Sequence, residues 1–476
     1  MVQGDLREFM RISESTGDLI RIGEEVDWDL EAGAISRRAY ELSGPAILFE
    51  RIKDYPQGYR ILAGPLATWR RMAIAMGLSP DTSTREIHRV YGERIATPIK
   101  PVLVESGPCK ENVISREQDV DLFRFPAPMC HEGDGGRYMG TWDLVVSKDP
   151  DSDWTNWGMY RFMIHNSRLL IGAAMPFSHL GTILREKYLP AKCAMPVAVV
   201  IGADPISSLM AATGCRVGES EADIAGALLQ EPVKLVKCET SDLMVPANAE
   251  IVIEGEILPD MTAPEGPFGE YPGYRHEEDR LGLVLRVTAI TYRDSPIITM
   301  SNLGVPPDDS SVAGAMGVTV ALKRRLLRHG IPVTDVFVPP EGASHTVLVA
   351  VKSGGGDMAR RIRDILIGRR AWYTKILVLD EDVDVFDMKQ VIHAFSVKCQ
   401  SYRGISLSMV EGKGSRLTPC YSRAEREKQI AAIAVFDCTW PPDWPEAEKL
   451  TKMSFEEIYP REVKQKALSK LKKFGI

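Results

Sequence analysis

The chain has 476 residues, 44% of them hydrophobic, and a formal net charge of −7. That length and apolar content allow two or three domains with sizeable cores, and the acidic balance argues against a nucleic-acid-binding surface as the main business. No apolar run reaches membrane-spanning length: the best candidate, residues 194–202, is interrupted by proline and glycine.

The first residues, Met1-Val2-Gln3-Gly4-Asp5-Leu6-Arg7, lack the basic start and apolar stretch of a signal peptide. Eight cysteines are scattered, with no CxxC pair. Free thiols in a reducing, cytoplasmic compartment are expected.

Residues 5–14 place Leu6, Phe9 and Met10 on one helical face. A strand pattern follows at 18–22. Helical patterns at 29–42 and 66–77 bracket a strand at 46–52. This predicts a small α/β domain over 1–110, followed by a connection rich in proline (Pro98, Pro101, Pro108, Pro126, Pro128). From 140 to 300 short β-like runs dominate, at 141–147, 160–165, 168–174, 196–202, 233–238, 249–257, 282–292 and 296–301. Helical segments at 178–187 and 220–229 interrupt them. So many short strands predict a barrel or sandwich, assigned to 111–304. Beyond 305 a helix over 312–329 ends in Lys323, Arg324, Arg325 and Arg328. VTDVFVP, HTVLVAV and KILVLD then alternate with helical DMARRIRDIL and MKQVIHAF, an α/β layer over 305–450. A basic helical tail over 451–476 would find most use packed on a partner subunit. The chain shows no internal repeat and no low-complexity segment.

Two stretches carry candidate chemistry. In PEGPFGEYPGY, residues 264–274, three glycines and three prolines predict a rigid irregular loop carrying Glu265 and Glu270. Such a loop suits acid–base groups, which must be held within hydrogen-bond reach of their target. By spacing alone, two solvated turn glutamates are the commoner outcome. In NWGMYR, residues 156–161, the chain leads into a strand whose alternate residues are Arg161, Met163 and His165. An inward arginine there would need a carboxylate partner. Taken alone, a surface ion pair is the commoner outcome.

Together with VKCETSDLMVPANAEIVIEGEI (233–257), MPFSHLG (175–181), GESEADIAGAL (218–228) and YTKILVLDEDVDVFD (373–387), these stretches fall in the order of the UbiD family of reversible decarboxylases, which the chain strongly resembles to about residue 440. The resemblance implies an α/β multidomain fold with an N-terminal α/β unit, a central flavin-reductase-like split β-barrel and a C-terminal α/β oligomerisation domain with a terminal helix. It implies prenylated FMN as cofactor, whose phosphate is held through Mn²⁺ (or Mg²⁺) by Asn156, His179 and Glu221, an O, N, O donor set suited to such ions. Trp157, Gly158, Met159, Tyr160, Arg161 and Ser178 would line the cofactor, and Lys375 would contact its phosphate. Left to its residue type, His179 would be a packed histidine at a helix start, and Lys375 a solvated strand-edge lysine. K⁺ would sit beside the phosphate on main-chain oxygens near Trp157 and 208–213.

The resemblance also assigns catalysis to Arg161, Glu265 and Glu270. Glu265 would stay ionised beside Arg161, and Glu270 would return the proton after CO₂ leaves. The substrate would be an aromatic, heteroaromatic or α,β-unsaturated carboxylic acid. Segments 301–308 and 393–407 would line its pocket, with Asn302 and His393 as polar candidates. Implied partners are a flavin prenyltransferase that supplies the cofactor and further copies of the chain, as a dimer or hexamer.

Three rival readings remain at this stage. A literal GxGxxA at Gly354-Gly355-Gly356-Asp357-Met358-Ala359 lies between a strand and a helix, and Asp380 closes the next strand, as an NAD-binding oxidoreductase would require. A plain glycine turn is the commoner outcome there. The second rival is ordinary FMN redox chemistry, and the third a metal-dependent assembly subunit.

Overall fold

A computed structural model describes residues 4–275, 280–352, 354–355, 357–368 and 370–474. The N-terminal unit begins with helix Leu6–Ser15. Asp5 caps it by accepting the Arg7 and Glu8 amides, and Leu6, Phe9 and Met10 are buried. Strands Leu19–Val26 and Ala46–Ile52 pair in parallel across helix Glu31–Glu41, and Arg60–Ala63 adds antiparallel.

The fourth strand of this sheet is Ile297–Met300, which runs parallel to Arg60–Ala63. The expectation that 296–301 belongs to the central barrel is therefore corrected. All four residues are buried, so their apolar run identifies a two-sided core strand without saying which sheet it joins.

The central body is a nine-stranded antiparallel sheet, a curled half-barrel whose longest ladder joins Ile251–Glu265 to Arg280–Tyr292. A second correction concerns Lys234–Lys237 (expected at 233–238). It leaves this sheet for a small three-stranded one with Met244–Pro246 and Val102–Leu103. Helix Pro205–Ala212 was not expected. Asp204 caps it and Pro205 opens it, but seven of its eight residues are buried, so it shows no polar face to set a period.

The C-terminal layer begins with helix Asp309–Arg328, closed at its start by a reciprocal cap between Asp308 and Ser311. A five-stranded sheet follows in the order Val333–Phe337, Thr346–Val351, Lys375–Asp380, Ala431–Cys438, Ile405–Val410. Helix Arg461–Leu471 of the tail buries none of its residues.

The glycine motif lies between strand Thr346–Val351 and helix Met358–Leu366 as expected, with Gly356 outside the described residues. A Cβ at Gly354 would meet the Thr439 side chain at 2.1 Å, and one at Gly355 would meet Pro442 Cδ at 2.1 Å. These glycines let the turn pack against the chain's own 439–442 segment.

Candidate active site

Glu265 ends strand Ile251–Glu265, where it pairs with Arg280. The expectation that both glutamates ride an irregular loop is thus corrected: only Glu270 does. A register shift between Ile257 and Thr262 absorbs extra residues, so the ladder resumes and runs on through Pro264. It stops at Gly266, whose φ of +91° turns the chain out of the sheet.

Arg161 immediately precedes strand Phe162–Asn166, on a neighbouring part of the same sheet. Its guanidinium grips Glu265 at two points, Nε to Oε1 at 2.7 Å and Nη2 to Oε2 at 2.8 Å, while Nη1 reaches Glu270 Oε1 at 3.1 Å. Arg280 Nη1 lies 3.8 Å from the same Glu270 oxygen. Phe268 lies beneath the Arg161 guanidinium, 5.3 Å from it to the ring centroid. Burial works against the Arg161 charge. The hydrogen bonds to Glu265 and the charges of Glu270 and Glu265 outweigh it, and hold the guanidinium above its ordinary value. The result is a fixed cation bound to one fully buried carboxylate and touching a second.

A second cluster forms around strand Thr155–Gly158. Asn156 is buried. Its Nδ2 donates to Ser147 Oγ at 3.2 Å, and its Oδ1 lies 2.9 Å from His179 Nδ1. His179 opens helix His179–Ile183, capped by Ser178, whose Oγ accepts the Gly181 amide. Glu221 opens helix Glu221–Leu229, and its Oε2 accepts the Trp157 amide at 3.0 Å. Its other oxygen, Oε1, is buried with no hydrogen-bond partner among the described residues. Burial pushes this carboxyl up to about 7 and lowers His179 below the ordinary imidazole value. Among the described residues no group of three His, Cys, Asp or Glu side chains could hold a metal ion; here the third donor is an amide. An orphaned carboxylate oxygen on a residue tied to the Trp157 amide, with the neighbouring Asn156 amide oxygen and its His179 imidazole partner, is a donor set that fits a divalent cation.

The segment that leads into Glu221 also walls a cavity of about 800 Å³. Thr213, Cys215 and Ser220 line one side of it, and Gly314, Gly317 and Arg325 of the long C-terminal helix line another.

Gly158 closes its strand, and Tyr160 OH accepts the Leu180 amide at 3.4 Å. Met159 packs half-buried against the core. Lys375 opens its strand on an exposed face and donates to Thr374 Oγ1 at 3.1 Å. No hydrogen bond or ion pair among the described residues joins it to Asn156, His179 or Glu221. The preceding segment does reach the site's surroundings. The Arg370 guanidinium lies 3.8 Å over Phe177, next to Ser178. Trp372 contacts the ring of Tyr271, next to Glu270, at 5.9 Å.

Of the expected pocket residues, Asn302 is fully buried and already engaged. Its Nδ2 donates to Gly33 O at 2.7 Å, and its Oδ1 faces His131 Nε2. His393 is exposed on helix Met388–Lys398. Residues 208–212 are helical, so only carbonyls at the end of that helix are free to face an ion. Sequence reasoning missed Tyr138, whose hydroxyl donates to Glu265 Oε1 at 2.8 Å. Nothing in the sequence around it marks that role.

Comparison with known proteins agrees with this architecture. Three family descriptions match in order: the 3-octaprenyl-4-hydroxybenzoate carboxy-lyase N-terminal domain over residues 10–90, its Rift-related domain over 100–306, and its C-terminal domain over 314–438. The chain is 32% identical to pyrrole-2-carboxylic acid decarboxylase of Pseudomonas aeruginosa, across 99% of this chain and 98% of that protein. Vanillic acid decarboxylase of Sedimentibacter hydroxybenzoicus, in open form, superposes with a TM-score of 0.86 at 29% identity, covering 99% of each chain. An evolved dimeric form of the UbiD-class enzyme HmfF from Pelotomaculum thermopropionicum, in complex with prFMN, gives 0.80 at 27% identity over 97% of this chain and all of the other. The chain belongs to the UbiD family. It is a carboxy-lyase with that family's multidomain α/β fold.

Proposed function

We propose that the chain catalyses the reversible, non-oxidative decarboxylation of an aromatic, heteroaromatic or α,β-unsaturated carboxylic acid with prenylated FMN. The observation that carries this reading is the Arg161 guanidinium, gripped at two points by Glu265 and touching Glu270. The prFMN complex of a relative with the same fold supports the cofactor. When bound, that cofactor supplies an electron sink for breaking the bond to the carboxylate carbon.

The protein's own residues do the rest. Arg161 presents a fixed positive charge to orient the substrate carboxylate. Glu265 holds Arg161 and stays ionised. Glu270, on the loop and bound by one arginine nitrogen at 3.1 Å, is free to carry a proton to the substrate carbon once CO₂ has left. Asn156, His179 and Glu221 hold Mn²⁺ or Mg²⁺ for the cofactor phosphate, and Glu221 Oε1 is the oxygen that lacks a partner without it. Lys375 offers a further charge to the phosphate. Trp157 and the end of helix Pro205–Ala212 offer carbonyl oxygens to K⁺. A flavin prenyltransferase supplies the cofactor.

The chain assembles with copies of itself, as a dimer or hexamer. Leu407 and Met409 on the edge strand Ile405–Val410 are 78% and 71% exposed, which supports a covered edge. The NAD-binding reading is disfavoured by the glycine turn, which is filled by Thr439 and Pro442.

The test is an acid screen on protein co-expressed with a flavin prenyltransferase and assayed in D₂O. The expected product carries one deuterium where the carboxylate was. CO₂ release that needs an added electron acceptor, or no turnover of any unsaturated acid, would contradict the reading.

A further inference from the structure

We infer that Tyr138 is a positioning residue of the acid–base centre: its buried phenol completes a three-donor cradle that fixes Glu265, and through Glu265 fixes Arg161. This rests on the roles proposed above for Arg161, Glu265 and Glu270.

Tyr138 begins strand Tyr138–Gly140, at one end of the nine-stranded sheet, opposite Met163. It is fully buried. Its hydroxyl donates to Glu265 Oε1 at 2.8 Å, the oxygen that also accepts Arg161 Nε, while Oε2 accepts Arg161 Nη2. The Glu265 side chain is 0% exposed, so water cannot substitute for a missing donor. Burial first, then the neighbouring Glu265 charge, push the Tyr138 phenol far above its ordinary value. It therefore remains the donor throughout the working pH range. Phe268 packs on Tyr138 at 4.4 Å between centroids and also underlies Arg161, so one ring shields both partners.

The consequence reaches Glu270. Arg161 has one nitrogen, Nη1, on Glu270, and the direction of that nitrogen is set by the two-point grip on Glu265. A carboxylate and a guanidinium bound only to each other can swing together as one unit. The phenol removes that freedom. The charged and titratable groups around Glu265 are Arg161, the neutral phenol, Glu270 beyond Arg161, Arg280 across the ladder, and Asp134 near the phenol.

Tyr138→Phe keeps the ring and removes only the hydroxyl, and two readouts test it. In the cofactor-free protein the thermal midpoint should fall by several degrees at pH 7.5, but by less than half as much in a Glu265→Gln background, where no buried carboxylate needs the donor. A packing role alone predicts the same loss in both backgrounds. In the cofactor-loaded enzyme kcat should fall about tenfold or more, the loss of one charge-assisted hydrogen bond, with KM within about twofold. The acid limb of the kcat profile should also move to higher pH. Equal thermal losses in both backgrounds, with kcat and its profile unchanged, would overturn the inference. Full turnover by Glu270→Gln would overturn the proposed proton donor instead, and would leave the thermal test of Tyr138 standing.

Discussion

Arg161 is the residue on which the site converges. Lysine offers a point charge where arginine offers a planar fork, so Arg161→Lys cannot hold Glu265 at two points and reach Glu270 as well. Steady-state kinetics should show kcat/KM falling by at least about a hundredfold, since both the oriented charge and the Glu270 contact are lost. Near-wild-type kinetics would mean that the fork geometry is unimportant. The arginine and both glutamates were recognisable in the sequence only through their neighbouring motifs. Their spacing fits a solvated turn equally well, because a ladder that runs on through a proline to Glu265 depends on the register shift between Ile257 and Thr262. Tyr138 was invisible for a different reason: its partner lies 127 residues away, and no local pattern encodes that distance.

At the scale of elements, most strands and helices were legible from alternation and apolar faces. Leu6–Ser15 is a case where the pattern states which face is buried. Two kinds of information were not local. Sheet membership of Ile297–Met300 and Lys234–Lys237 is decided by long-range pairing. Helix Pro205–Ala212 is buried on all sides and has no polar stripe.

One element junction has a testable pH dependence. His88, on helix Thr84–Arg94, is packed against Trp69, Phe337 and Phe386, where the N-terminal and C-terminal units meet. Burial depresses its imidazole to about 4, against the opposing pull of the Thr84 carbonyl. A depressed folded-state value gives stability that is present above the unfolded value near 6.5 and is lost as pH falls toward 4. The full loss amounts to about 3 kcal/mol. Thermal midpoints should therefore drop between pH 7 and pH 4 by less in His88→Leu than in the native chain. An identical pH slope for the two proteins would count against the buried neutral imidazole.

At the scale of the whole molecule, the described chain leaves apolar surface exposed, which the proposed self-assembly would cover. Leu407 and Met409 stand on the edge strand of the C-terminal sheet, and Val463, Leu468 and Leu471 on a tail helix that buries nothing. Charged substitutions at both edge-strand positions should lower the particle mass seen by light scattering toward that of one chain. An unchanged mass would place the assembly surface elsewhere.

The three units meet around the site. The central sheet supplies Arg161 and Glu265, and the loop leaving it supplies Glu270. The C-terminal unit closes on that loop through a Tyr271 hydroxyl that donates to Ser415 Oγ at 2.9 Å. The central claim is that Glu270 returns the proton. It is tested most directly by turnover of Glu270→Gln loaded with prenylated FMN, with the cofactor spectrum and thermal midpoint as controls. The account predicts a fall in kcat of about a hundredfold or more with both controls unchanged, the usual contribution of a general acid. Full turnover by that variant would contradict it.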